Sequence, residues 1–410
     1  MELKWRQLVL LAAVQWLAMA LWFSASAVTT ALKTQWELSP GAVSWLTISV
    51  QLGFVAGALA SAILNLSDRL SPTRLLACCA LLGAAFNILI PLGISNDFGR
   101  SAGGFAIVIA LRILTGVMLA GVYPTGMKLM ATWFATGRGL AIGILVGALT
   151  VGSASPHLLT ALARGMTSWQ LVMEIASGLA TLGALLALLF ARAGPHLSSA
   201  PRFDWSYFAR VWADPATRRA NFGYLGHMFE LYAMWTWAPR LLEASYKNAR
   251  WNDESAPLAG FATIAIGGLG CILAGAWADR IGRTWTTIAS LAVSGSCALV
   301  AGFLFDQPLA LTVVCMIWGF AVVADSAQFS TAISELCDPR YVGTALTIQT
   351  CAGFLLTTLT IYAVPTVQAV DSLGWPGAMS LLALGPVFGI WHMARLRSLP
   401  ESAKMAGGRK

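Results

Sequence analysis

Gly275-Ala276-Trp277-Ala278-Asp279-Arg280-Ile281-Gly282-Arg283 separates two long apolar runs, and its reading decides the fold. Charges gathered in so short a turn, between stretches that carry almost none, belong at a membrane face and not within the bilayer. A weaker copy, Asn65-Leu66-Ser67-Asp68-Arg69-Leu70-Ser71-Pro72-Thr73-Arg74, lies between two earlier apolar runs. Asp68 and Asp279 are 211 positions apart in a chain of 410. One loop repeated at half the chain's length implies a duplicated membrane bundle.

The composition agrees. Hydrophobic residues make up 57% of the chain and charged residues 11%, where a soluble domain carries about 25% charge. Such a chain cannot clothe itself in polar surface, so it is expected to be integral to a membrane. The net charge of +8 does not point to nucleic acid, because the basic residues flank apolar runs, where they set orientation. The seven cysteines show no metal spacing and read as buried apolar thiols. The first run follows Lys4 and Arg6 as in a signal peptide. It is long and lacks a clean Ala-x-Ala site, so it reads as a retained helix.

About 20 apolar residues cross a bilayer core. Twelve stretches qualify, near 8-30, 43-65, 74-95, 103-132, 138-163, 168-191, 220-242, 257-278, 284-305, 308-335, 341-364 and 374-394. The expected fold is all-α, with twelve spans in two pseudo-symmetric six-helix bundles. If both termini are cytoplasmic, nineteen of the 26 lysines and arginines fall inside, six fall outside, and Arg112 is left within a span. That asymmetry sets the expected topology by the positive-inside rule. The longest polar cytoplasmic stretch divides the chain into 1-192, a linker at 193-219, 220-400, and a tail at 401-410. The halves echo each other again: Thr136-Gly137-Arg138-Gly139-Leu140-Ala141 opens span 5, and Arg340-Tyr341-Val342-Gly343-Thr344-Ala345 opens span 11.

With these loops and repeats, the chain resembles the major facilitator superfamily of transporters over essentially its whole length. That family's loop signature runs roughly Gly-x-x-x-Asp-Arg-x-Gly-Arg. The resemblance implies alternating access by rocking of the two halves about a site lined by spans 1, 4, 7 and 10. It also implies that Asp68, Arg69, Gly275, Asp279, Arg280 and Arg283 take part in closing the inner gate. The first copy departs from the signature, with Leu64 in place of the leading glycine and Ser71 in place of the second.

Ionisable groups inside spans are costly and mark function. Arg112, His157, His227, Glu230 and Asp325 lie well inside spans, and Gln328 follows Asp325 by one turn of helix. These six are the candidate residues for substrate binding and proton coupling. His227 and Glu230 are three apart, hence on one helix face, and an imidazole beside a carboxylate can exchange a proton near neutral pH. The alternative reading is a pair that only fixes span 7 in the bundle. Arg112-Ile113-Leu114-Thr115-Gly116 resembles the family's span-4 motif. By resemblance, Arg112 faces the cavity; because its charge is permanent, it calls for an anionic partner, either a carboxylate or the substrate.

No nucleotide, hydrolase or metal motif stands out, so no enzyme activity, cofactor or resident metal is expected. Gln51 in span 2 and the absence of a basic residue in span 8 argue against the nitrate porters. Span 5 lacks the Gly-Pro-x-x-Gly-Gly pattern of drug/proton antiporters. The expected function is secondary active transport of a small solute, an organic metabolite for which Arg112 allows an anion, driven by protons. A copper or riboflavin importer of the same superfamily, and a non-transporting receptor or sensor with the same bundle, stay open as alternatives. The expected partners are a small molecule, protons and the lipid of the cell (inner) membrane, with no nucleic acid, and the chain is expected to be a monomer.

Overall fold

A computed structural model of the chain describes residues 2–134, 138–163, 168–196, 203–251 and 255–410, without the side chains of Arg138 and Gly139. Thr136, Gly137, Arg164 and residues 197–202 of the expected linker lie outside the described residues.

The secondary structure among the described residues is helical. The first half comprises α1 (Leu3–Met19), α2 (Ser24–Ala27), α3 (Thr29–Gln35), α4 (Pro40–Ile63), α5 (Leu66–Arg69), α6 (Pro72–Gly93), α7 (Asn96–Arg100), α8 (Ala102–Leu119), α9 (Tyr123–Ala131), α10 (Arg138–Leu162) and α11 (Trp169–Phe190). After α12 (Phe208–Ala213), the second half comprises α13 (Pro215–Asn248), α14 (Ala256–Ala265), α15 (Gly267–Ile281), α16 (Arg283–Ala301), α17 (Pro308–Ala324), α18 (Ser326–Leu336), α19 (Val342–Gln368), α20 (Gly374–Leu382) and α21 (Leu384–Arg397). Ten stretches among the described residues are long and apolar enough to cross a bilayer. The two other expected spans fall on α1–α3, which is interrupted, and on α13, which carries the polar residues of the site. The architecture is consistent with twelve crossings.

Paired helices within each half approach to backbone contact, and glycine is what permits it. A side chain at Gly53 or Gly116 would run into the carbonyl of Ile113 or Val50, between α4 and α8. The second half repeats the device, with Gly319 against the Thr263 carbonyl and Gly270 against that of Phe320. Small residues do this work because lipid supplies no hydrophobic drive for helix association. The halves meet along α4 and α19 and along α10 and α14–α15.

The face carrying the Asp68 and Asp279 turns is termed the loop face, and the opposite one the far face. At the loop face, residues 398–410 fold back on the second half. The Ala406 amide donates to Glu335 Oε2 at 3.1 Å, Arg409 Nη1 donates to the Asp279 carbonyl, and Thr284 Oγ1 donates to the Lys410 carbonyl at 3.1 Å. Met405 is fully buried beneath this segment.

Candidate functional site

The helix that enters first is broken at Ala20–Phe23, and no proline or glycine breaks it. Arg112 holds the break. Its guanidinium donates to the carbonyls of Leu21 (3.0 Å), Trp22 (2.6 Å) and Leu46 (3.3 Å), to Ser24 Oγ (3.1 Å) and to Asn87 Oδ1 (3.1 Å). A helix end leaves carbonyls unpaired and carries partial negative charge, and those dipoles answer the arginine. Among the described residues no carboxylate lies within ion-pair distance of Arg112, and the side chain is fully buried. The anionic partner expected from the sequence is replaced by carbonyls and by Asn87, a lone polar residue in an apolar span that the sequence reading passed over. Asn87 Nδ2 reaches on to Ser177 Oγ at 2.9 Å, tying α6 to α11.

The break turns Trp22 and Phe23 into the interface between the halves. Trp22 packs against Phe54 and against Tyr232 and Phe354 of the other half, with ring centroids 5.1–5.6 Å apart. Phe54 and Phe354 lie 4.5 Å apart, and Phe23 meets Trp235 at 6.0 Å. These rings close the centre of the molecule. The indole nitrogens of Trp22 and Trp235 and the side-chain amide of Gln51 are buried there without hydrogen-bond partners among the described residues.

Beside this layer, His227 Nδ1 stands 2.9 Å from Asp325 Oδ1, each side chain 1% exposed. Asp325 sits at the break between α17 and α18, and Phe329 and Tyr224 pack on the imidazole at 5.4 and 6.0 Å. The two groups face each other at ion-pair distance, and neither makes a side-chain hydrogen bond to a third residue among the described residues. Glu230 does not join His227. Its Oε2 accepts from Ser294 Oγ at 2.8 Å and its Oε1 from the Trp318 indole at 2.6 Å, so it knits α13 to α16 and α17.

The remaining sequence candidates separate. Gln328 faces the loop side, where its Oε1 accepts from Arg283 Nη1 at 2.9 Å. Arg283 also grips Glu335 through two bonds of 2.7 Å. Asp279 reaches Arg283 at 3.7 Å, within its own half and 55% exposed. Gly275 is buried, while Arg69 and Arg280 are exposed. Asp68 pairs with Lys128 of its own half. His157 lies at the far face in a cavity of about 500 Å³ between the halves, with Arg240, Glu243, Gln35 and Trp169. Lys128, Glu335, Arg240 and Glu243 were not singled out in the sequence. Each stands near a span end, where charge is ordinary.

Two halves packed around a buried polar and aromatic layer, with cavities opening on either side of it, make the architecture of a membrane carrier. The profile of the Major Facilitator Superfamily matches residues 11–361, and the chain belongs to that superfamily. No curated protein sequence matches it. Solved structures share its fold. The proton:xylose symporter XylE superposes with a TM-score of 0.71 at 14% identity, covering 96% of this chain and 95% of that one. The nucleoside transporter NupG gives 0.68 at 12%, covering 96% and 99%. A bacterial homologue of the human lysosomal transporter Spinster gives 0.64 at 16%, covering 96% and 95%.

Proposed function

We propose that the protein is a proton-coupled carrier of a small organic solute, working by alternating access in the cell (inner) membrane with its loop face in the cytoplasm. The observation that carries this reading is the His227–Asp325 pair. Two titratable groups are sealed from water in this state, and among the described residues neither side chain is hydrogen-bonded to anything outside the pair. Their proton count can change without dismantling anything else, as a carrier's must when the site opens to one side and then the other. Buried ionisable groups in membrane bundles mark such pathways. The proton is assigned to this pair and not to Glu230, because both oxygens of Glu230 already hold neighbouring helices. The donors of Arg112 are engaged by the protein itself, which removes the reason to favour an anion. The neighbours that carry xylose and nucleosides support a small organic solute of that general size.

The test is Asp325→Asn in proteoliposomes, with a solute found by thermal-shift screening, since a ligand of the folded state raises its apparent stability. Uptake against a gradient should be lost, while exchange of labelled solute across the membrane, which needs no net proton movement, should persist. Concentrative uptake by the variant would remove the assignment. The absence of any solute-dependent proton flux in the wild type would favour a receptor.

A further inference from the structure

At the far face, the halves are joined by two hydrogen bonds from one helix to the broken helix of the other half. Thr30 Oγ1 of α3 donates to Glu243 Oε2 at 2.8 Å, and Arg240 Nη2 donates to the Ser26 carbonyl of α2 at 3.4 Å. Arg240 and Glu243 are three residues apart on α13, so their side chains rise on one face with Cβ atoms about 5–6 Å apart. Both line the cavity of about 500 Å³, within the size range of small-molecule sites. His157 lines it too, largely buried, with its Nε2 unpartnered among the described residues. The rest of the wall is mostly apolar or hydroxyl-bearing, including Val28, Ala31, Thr160 and Val172.

We propose that Arg240 and Glu243 are the docking groups for a zwitterionic solute, one with an ammonium and a carboxylate a few ångströms apart, and that its arrival releases the bonds joining α13 to α2–α3. The chemistry favours the exchange. Arg240 holds a neutral carbonyl at long range, whereas a carboxylate would offer two parallel charge-assisted bonds. Glu243 holds a neutral hydroxyl, and an ammonium would replace it with a charged donor. Each present contact has one ionised partner, whereas a zwitterion would make both partners charged and give the guanidinium a two-bond grip, so a ligand with both charges outcompetes both contacts. Because it binds the released arrangement better, it shifts the population toward it. A solute with only one charge meets its partner and an opposing charge one helical turn away, which is how the site would discriminate.

This inference rests on the reading of the protein as a carrier of small organic solutes and names their class. Binding to the purified full chain in detergent tests it without a gradient, so failure here leaves the Asp325 experiment standing, and the converse holds. The probes are the α-amino acids, β-alanine and γ-aminobutyrate, each beside its carboxylate-only and amine-only analogue. Zwitterions should raise the melting temperature in a dose-dependent way and their single-charge analogues should not. Arg240→Gln and Glu243→Gln should each weaken the response at least tenfold, and the exchanged pair Arg240→Glu with Glu243→Arg should recover it. Should either glutamine variant fail to fold, Arg240→Lys, which keeps the charge and loses the fork, takes its place with the same expectation. The proposal is overturned if no zwitterion shifts the wild type, if single-charge analogues bind as well, or if the variants respond as the wild type does.

Discussion

Arg112 shows how one residue can be legible in position and illegible in role. Its depth in span 4 and its permanent charge follow from the sequence, and both point to a binding arginine. The carbonyls that meet it do not, because they exist only where the first helix breaks, and Ala20-Leu21-Trp22-Phe23 carries no breaking signal. The geometry predicts a structural phenotype. Arg112→Ala strands the Trp22 carbonyl in the interior and leaves the Leu21 carbonyl and Asn87 Oδ1 to Ser24 alone, at about 1–3 kcal/mol for a buried group left unpaired beside the cavity left by the guanidinium. Its melting temperature should fall well below wild type before any solute is added. Arg112→Lys, with one ammonium in place of the fork that spans α2's approach, α4 and α6, should fall between the two. A wild-type melting temperature in Arg112→Ala, with solute binding lost, would return the residue to the substrate. The same contrast separates Glu230 from Asp325. The sequence shows two buried acids, and only the packing shows that one is hydrogen-bonded to neighbouring helices at both oxygens while the other faces His227.

At the scale of elements, most spans were legible because about 20 apolar residues in a row leave little choice. The interruptions were less so. The break between α8 and α9 has Gly121 and Pro124 beside it, whereas those at Ala20–Phe23 and Asp325 hold no proline or glycine, and the first is met by the Arg112 guanidinium. The turn between α15 and α16 shows a further dependence that the motif alone could not reveal. Gly282 adopts φ of 94°, and a Cβ on it would meet the carbonyls of Arg409 and Lys410. The glycine of the loop signature is therefore also the seat for residues 398–410. Gly282→Ala should suffer twice, from a backbone region that costs about 1–3 kcal/mol for a residue with a side chain and from displacement of that segment. A lower melting temperature and faster tryptic cleavage after Lys404 or Arg409 are expected. Unchanged cleavage would mean that the segment's hold on Glu335 and Thr284 does not depend on the turn.

For the whole molecule, the question is what keeps the halves together on each side of the central rings. At the far face the described hydrogen bonds between halves are those of Arg240 and Glu243. Toward the loop face the described ion pairs of the repeated aspartates, Asp68 with Lys128 and Asp279 with Arg283, lie within the halves. There the contact is close backbone packing of α10 on α15. A Cβ on Gly143 would stand 3.0 Å from the Cys271 carbonyl, and one on Gly147 2.9 Å from that of Gly268. This arrangement predicts that the loop-side closure depends on volume more than on charge. Gly143→Leu inserts a side chain with no space to receive it, and the least costly relief is for the halves to part on that side, since neighbouring pairs within each half are locked by their own glycines. Rocking about the central layer would then press the far-face contacts closer. In a cysteine-free background, a cysteine at Thr347, which lines the loop-side cavity, should be labelled faster in Gly143→Leu, and one at Thr34, which lines the far-face cavity, more slowly. Asp279→Asn, which removes a charge that stays within its own half, should move neither rate appreciably. Equal labelling at both positions in Gly143→Leu would show that the α10–α15 seam does not govern closure. A marked change in Asp279→Asn would restore the charge as the gate.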